Sequence, residues 1–472
     1  MRPGLLACLV AACAVARAAA PPPPNILLIV SDDQRPDTIH ALGNAVIDTP
    51  QLDQLVREGA AFTRAIAANP HCVPSRAEIM TGAPGFANGS PPFGRAIRPE
   101  MVLLANVLRR AGYHTGYSGK WMNDGSPRTR GYEETSALFS SGGAAGAPLT
   151  LPRAHNGRPV TGYTGWTFKD HDGKPELAKG IGLTGATDRL IADGAIALIR
   201  RRASGPFFLH VNFTAPHDPL HLPSGYEHKY DPAAMPLPPN FAAEHPFDHG
   251  NAGQRDELLL PVPRVPAEVK AEIAAYYAVI SNLDAQVGRL RAALAETGQA
   301  ENTVVIFTSD HGLALGSHGL MGKQNMYEHT IGVPLLMAGP GIPRGRRWTA
   351  QCYLRDLYPT ICDFARAPVP PTVEAKSLGP VLAGRTGQLY PELYAYWGRE
   401  AGLVPTQQMI RTERWKLIRY LHLPREQLFD LAADPYERRD LSAAPEHAAT
   451  RRELETKLAA WFAAHPNVTA SR

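Results

Sequence analysis

The sequence has little cysteine, no long apolar run and almost no charge imbalance, and each shortage removes a class of protein. Five cysteines stand in 472 residues. Cys8 and Cys13 fall in an N-terminal leader, which leaves Cys72, Cys352 and Cys362, too few for a disulfide framework. Tyr353 to Ile361 reads as the start of a helix, so Cys352 and Cys362 are expected as two buried free thiols. The net charge is only +4, and no lysine- or arginine-rich stripe occurs, which argues against nucleic-acid binding. No stretch offers the ~20 uninterrupted apolar residues of a transmembrane span. No internal repeat is visible, and the only low-complexity tract is the short run Pro21 to Pro24.

What remains is an ordinary globular composition, 44% apolar and 19% charged. The length predicts one large domain plus a smaller one. With 44 prolines and 42 glycines, many loops are expected. At the N-terminus, Arg2 precedes the apolar run Gly4 to Val15, and Ala16-Arg17-Ala18-Ala19-Ala20 offers small residues for cleavage. Residues 1–20 therefore read as a signal peptide, which places the chain outside the cytoplasm, in the periplasm or secreted. Val10-Ala11-Ala12-Cys13 resembles a lipid-attachment box, so a lipoprotein is the alternative.

Three segments have the continuous apolar character of strands buried on both faces of an α/β sheet. Asn25 to Val30 ends abruptly in Ser31-Asp32-Asp33. Thr303 to Thr308 ends in Ser309-Asp310-His311. Pro206 to Phe213 runs into Thr214-Ala215-Pro216-His217. Ligands of open α/β sheets bind beyond the carboxyl ends of the strands, and core packing gives no reason to gather acids and imidazoles there. Helical patterns lie between, at Pro50 to Glu58, Met101 to Arg110, Ala186 to Arg202, and Ala267 to Thr297 as one or two helices. The Gly-, Pro- and His-rich stretches Pro84–Pro99, Gly125–Gly182 and Pro219–Pro266 read as insertions or long loops. A catalytic domain over residues 21–366 and a C-terminal subdomain over 367–472 are expected. The subdomain should hold short antiparallel strands at Leu393–Trp397, Gln408–Arg411, Trp415–Tyr420 and Gln427–Asp430, then a helix from Glu446 to His465.

Asp32, Asp33, Asp310 and His311 bring three carboxylates and an imidazole to one sheet edge. Converging carboxylates repel one another unless a cation joins them, and hard divalent cations take oxygen ligands. Calcium is the expected ion and magnesium the alternative. Singly, either acidic pair reads equally well as a helix cap or a turn. Cys72 stands in His71-Cys72-Val73-Pro74-Ser75-Arg76-Ala77-Glu78-Ile79-Met80-Thr81-Gly82. Pro74 suits the first turn of a helix, which puts residue 72 at a helix N-terminus, where amide donors favour anions.

Cys-x-Pro-x-Arg with Thr-Gly following resembles the signature of the type I, formylglycine-dependent sulfatases. The resemblance continues through Gly112-Tyr113-His114-Thr115-Gly116-Tyr117-Ser118-Gly119-Lys120-Trp121, Ala215-Pro216-His217-Asp218-Pro219, Gly319-Leu320-Met321-Gly322-Lys323 and Tyr327-Glu328. It closes with Gln427-Leu428-Phe429-Asp430-Leu431 and Asp434-Pro435-Tyr436-Glu437. It implies the alkaline-phosphatase-like fold: a large mixed sheet flanked by helices, with a smaller C-terminal α+β domain. It also implies hydrolysis of an organic sulfate ester. A formylglycine-generating enzyme would oxidise Cys72, whose aldehyde hydrate supplies the nucleophile.

By matching positions, Asp32, Asp33, Asp310 and His311 resemble metal ligands, with residue 72 completing the set. The Asp-His pair resembles the iduronate and choline sulfatase branches. Arg76 resembles the residue that orients the hydrate, Lys120 and Lys323 the pair that holds sulfate oxygens, and His217 the acid that protonates the departing alcohol. The family usually carries a histidine just after the lysine matching Lys120. Here Met122 and Asn123 stand there, as in some glucosamine-sulfatase relatives. Asn123 is a substrate-binding candidate that cannot act as a base, and His71 is one replacement candidate. The expected substrate is a sulfated small molecule or saccharide, with His155, Tyr163, Trp166 and His221 able to stack on a sugar or simply to pack loops. Two rivals stand beside this reading: a formylglycine-dependent phosphonate monoester or phosphodiester hydrolase, and a catalytically silent sulfate-binding relative.

Overall fold

The computed structural model describes residues 22–90, 96–144, 154–158, 162–201, 205–398 and 405–465. The leader expected over residues 1–20 lies outside them. Among the described residues no helix is long and apolar enough to cross a membrane.

In chain order the strands are β1 Asn25–Ser31, β2 Ala60–Phe62, β3 Ala65–Ile66, β4 His114–Trp121, β5 Glu134–Ser140, β6 Thr167–Lys169, β7 Phe207–Asn212 and β8 Thr303–Ser309. They continue as β9 Leu335–Ala338, β10 Arg346–Trp348, β11 Cys352–Tyr353, β12 Leu393–Gly398, β13 Pro405–Arg411, β14 Trp415–Tyr420 and β15 Arg425–Asp430. Nine of them form one mixed sheet in the order β10-β2-β9-β8-β1-β7-β4-β5-β6. The run β8-β1-β7-β4-β5 is parallel throughout. β9 and β6 pair antiparallel with their neighbours.

Period-2 alternation explains why this sheet needs cover on both faces. On β1, Leu27 and Ile29 enter one apolar core while Ile26, Leu28 and Val30 enter the other. On β8, Val305 and Phe307 divide from Val304 and Ile306 in the same way. The helices Pro50–Glu58, Thr187–Arg201 and Pro266–Glu296 supply Leu52, Ile191, Ile273 and Leu283 to the first core. The helices Cys72–Thr81, Leu104–Arg110 and Leu357–Ala365 supply Ile79, Leu108 and Ile361 to the second. The α/β expectation holds, and the segment after Pro266 is one continuous helix. Cys352 and Cys362 are buried free thiols.

One expectation needs correcting. Gly125–Gly182, read as loop, contains β5 and β6. β5 opens on Glu134, Thr135 and Ser136, and β6 has only three residues, so neither shows the apolar run that marks a central strand.

The antiparallel sheet β12-β13-β14-β15 packs on the helix Ala448–Ala464 through Ile410, Leu417, Leu428, Leu454 and Leu458. Buried charges tie it to the segment after β8. Lys416 Nζ contacts Glu328 Oε1 at 2.9 Å and Glu437 Oε1 at 2.7 Å, and Arg411 Nη2 contacts Glu328 Oε2 at 2.7 Å. Glu437 Oε2 also accepts from the Glu328 amide at 2.7 Å. The motif residues Glu328 and Glu437 thus act as joints between the two sheets. Lys416 is fully buried, so Lys416→Met leaves carboxylates without their cation and is expected to cost about 3–5 kcal/mol. Chemical denaturation with activity-independent detection checks this; a loss below ~1 kcal/mol contradicts it.

Candidate active site

Sheet register brings the strand ends together. Ser31 on β1 pairs with Ser309 on β8, so Asp32-Asp33 and Asp310-His311 leave the same edge side by side. On the other side of β1, Val30 pairs with Asn212 of β7, and His217 follows that strand's end. Gly119 of β4 pairs with the same Asn212, at a register shift between Ser118 and Gly119. Gly119 has φ +101°, and a Cβ there would lie 2.0 Å from the Asn212 carbonyl oxygen. Only glycine permits this bulge, which re-aims the next side chain, Lys120, at the site. The helix Cys72–Thr81 closes the edge with its N-terminus, and Cys72 is its first residue.

The functional side chains lie within contact of one another, all buried. Cys72 Sγ is 3.5 Å from Asp32 Oδ1, 3.4 Å from His311 Nε2 and 3.5 Å from Lys323 Nζ. One turn on, Arg76 Nε donates to Asp310 Oδ2 at 3.0 Å and its Nη2 lies 3.3 Å from Asp32 Oδ1. Lys120 pairs with Asp32, and Lys323 Nζ meets both oxygens of Asp33 at 2.8 Å. His217 points Nε2 toward Asp33 Oδ2 at 3.8 Å and donates from Nδ1 to the Asp218 carbonyl oxygen. Asn123 takes another part: its Nδ2 donates to the Val73 carbonyl at 3.0 Å, bracing the helix that carries Cys72.

Oxygens of Asp32, Asp33 and Asp310 lie within 4.8 Å of one another, and Asp33, Cys72 and His311 form an overlapping group. Burial, with Asp32, Asp310 and Asp256 adding, pushes the Asp33 carboxyl well above its ordinary range despite Lys323. Burial also acts on Asp32, but Lys120, His217, Arg76 and Lys323 outweigh it and hold that carboxyl well down. A carboxyl crowded by three others is what a bound cation would relieve, and three carboxylates with one imidazole suit a hard divalent ion. His311 is held at about 4, chiefly by burial, and therefore offers a neutral ring nitrogen. Arg76, Lys120 and Lys323 already balance the three aspartates, so adding a divalent ion gives the pocket a net positive charge, the sign an anionic ester needs.

Several contributors escaped the sequence reading. Tyr163, read only as a loop aromatic, donates from its hydroxyl to Asp32 Oδ2 at 2.5 Å and sets its ring 4.7 Å from that of His217. Trp166 packs on Tyr163 and Phe139, and His155 pairs with Glu272 at 3.1 Å. Asp218, Arg255 and Asp256 form an ion-pair chain that reaches Lys323. Glu257 accepts from the amides of Met321 and Gly322 at 2.9 and 3.0 Å, fixing the loop that presents Lys323. A Cβ on Gly322 would lie 2.9 Å from that of Asp256, so this loop can approach only as glycine. His71 sits beside the site with its ring 5.3 Å from Trp397.

Comparison with known proteins gives a consistent picture. The family model described as Sulfatase matches residues 24–367, and the model for the C-terminal part of N-sulphoglucosamine sulphohydrolase matches residues 316–463. An arylsulfatase of Clostridium perfringens is 30% identical over 442 residues, spanning 88% of this chain and 89% of that protein. A choline-sulfatase of Rhizobium meliloti is 30% identical over 419 residues, spanning 84% and 78%. A solved protein in complex with its substrate D-glucosamine-2-N,6-O-disulfate superposes with TM-score 0.77 at 23% identity, over 94% of this chain and 98% of that one. The phosphonate monoester hydrolase of Agrobacterium radiobacter superposes equally, with TM-score 0.77 at 24% identity over 94% and 96%. At those identities the two superpositions establish the fold.

Proposed function

The chain belongs to the sulfatase family and is a sulfatase, and from that premise we propose that it hydrolyses an organic, carbohydrate-type O-sulfate with residue 72 as nucleophile. The observation that carries this reading is the meeting of Cys72, at a helix N-terminus, with Asp32, Asp33, Asp310 and His311 on one side and Lys120 and Lys323 on the other. In the proposal a formylglycine-generating enzyme oxidises Cys72 during maturation. Hydrated, the aldehyde of residue 72 supplies two hydroxyls on one carbon, one to attack sulfur and one to expel sulfate afterwards. A divalent cation, calcium by preference and magnesium as alternative, would be held by Asp32, Asp33, Asp310, His311 and residue 72, and as a Lewis acid would make the attacking hydroxyl easier to deprotonate.

The chain's own residues supply the rest. Arg76, locked to Asp310 and Asp32, fixes the orientation of residue 72 one turn before it. Lys120 and Lys323, now paired with Asp32 and Asp33, hold the sulfate oxygens and offset the charge that builds on them. His217 protonates the departing alcohol oxygen. Burial first, then Lys323, holds its imidazole well below the usual histidine range; an anionic ester beside it favours the protonated form. Asn123 supports the nucleophile's helix and borders the substrate, and His71, next to Cys72 in the chain, is one candidate for the proton acceptor that Asn123 cannot be. The reading also assumes export with removal of residues 1–20, and division of the mature chain at 366/367.

A direct comparison of substrates tests it. Matured enzyme is expected to turn over 4-nitrophenyl sulfate with kcat/KM at least ~10²-fold above that for 4-nitrophenyl phenylphosphonate. The reverse ratio would assign the pocket to phosphonate monoesters, and turnover of neither would leave a binding protein.

A further inference from the structure

We propose that Arg255 is a positioning residue for departure of the alcohol, acting through Asp218 on His217. This rests on the reading of His217 as the acid. On its Nδ1 side His217 is held by Asp218: that nitrogen donates to the Asp218 carbonyl and lies 3.3 Å from Asp218 Oδ1. The Asp218 carboxylate is in turn gripped by both prongs of Arg255, Nη1 on Oδ2 and Nη2 on Oδ1 at 3.0 Å. The ring of Tyr163 closes one flank of the imidazole. Nε2 is therefore left facing the pocket, and its aim depends on a carboxylate whose own aim depends on Arg255.

The same guanidinium also pairs with Asp256, whose Oδ2 lies 3.8 Å from Lys323 Nζ. One side chain thus links the group assigned to the leaving alcohol with a group assigned to the sulfate. Asp218 and Asp256 are buried, so neither carboxylate tolerates loss of its cation cheaply. Arg255 itself stays one-third exposed in its side chain and walls a cavity of about 370 Å³ shared with Asp218, His155 and Leu258. The contact joins two segments 37 residues apart through charged groups alone, which fixes direction in a way that apolar packing does not. A planar two-pronged grip fixes orientation, which a lysine's single point charge does not reproduce.

An ill-aimed imidazole harms only reactions that need its proton. Arg255→Met is expected to lower kcat/KM about 10–10²-fold for an aryl sulfate with a poor leaving group, 4-methoxyphenyl sulfate. For 4-nitrophenyl sulfate, whose phenolate leaves unaided, the change should stay within ~3-fold. Arg255→Lys should recover part of the loss, and His217→Ala run in parallel should show the same bias more strongly. Equal losses on both esters for Arg255→Met, or no loss on either, while His217→Ala keeps its bias, overturn this inference alone. Equal losses for His217→Ala overturn the acid assignment and the inference with it. Should Arg255→Met fail to fold, Arg255→Lys carries the same comparison: a bias against the poor leaving group supports the role, and none contradicts it.

Discussion

Cys72→Ala is expected to lower turnover of every sulfate ester by at least ~10⁴-fold, in a protein that still folds. The substitution removes one sulfur from a pocket walled by polar groups, so its cost to stability should be no more than ~1 kcal/mol. Its chemical cost is large, because Asp32 and Asp33 are held in ion pairs with Lys120 and Lys323 and His217 is assigned a proton to deliver rather than a bond to form. The unmodified thiol is itself a poor candidate. Burial, with Asp32 and Asp310 adding, pushes Cys72 well above the ordinary thiol range, although Lys120 and Lys323 oppose the shift. A thiolate is therefore scarce at neutral pH. Steady-state assays of Cys72→Ala beside wild type, both checked by circular dichroism, decide the matter; retained activity would place the nucleophile elsewhere.

The second large effect concerns the cation. Exhaustive chelation, or Asp310→Ala, is expected to reduce kcat by ~10³-fold or more. Asp310 carries three duties at once. It offers an oxygen to the cluster with Asp32 and Asp33, it anchors Arg76 at 3.0 Å, and its Oδ1 accepts from the Asp33 amide at 3.1 Å. Chelation tests the first duty without disturbing the other two. Calcium added back should restore activity and raise thermal stability, since an ion at 100 times its Kd contributes about 2.7 kcal/mol to the folded state. Magnesium should do so less well, because an imidazole and three clustered carboxylates match calcium's looser geometry better. A metal-free preparation with full activity and an unchanged melting temperature would contradict the assignment.

The acids and His311 could be read from sequence because strands deliver them, and Cys72, Arg76 and Lys323 because they stand in motifs. Asn25–Ser31 and Thr303–Ser309 are apolar runs that stop on acids, and neighbouring parallel strands must deliver their ends to one edge. Lys120 was legible through its motif, but the reason for its direction, the bulge at Gly119, needs the partner strand's Asn212. β5 and β6 were missed because β5 opens on polar residues and the edge strand β6 has only three residues, so neither carries a buried-strand signature. Arg255, Asp256 and Glu257 were missed because they lie in a Gly- and Pro-rich stretch without periodicity, where function depends on pairings that sequence spacing does not encode. Tyr163 was noticed as an aromatic, but its hydroxyl contact with Asp32, 131 residues away, is a property of the fold alone. Asn123 stands where the family resemblance leads to the expectation of a histidine, and here its amide braces the helix at Val73.

The central claim is that residue 72 works as formylglycine, and the mass of the peptide containing it tests this most directly. Preparations made with different amounts of formylglycine-generating enzyme should contain different fractions of a residue 72 in which the thiol has given way to an aldehyde oxygen. Specific activity is expected to rise in proportion to that fraction and to extrapolate to zero when Cys72 is wholly unmodified. Full activity in a preparation whose residue 72 is intact cysteine would contradict the account.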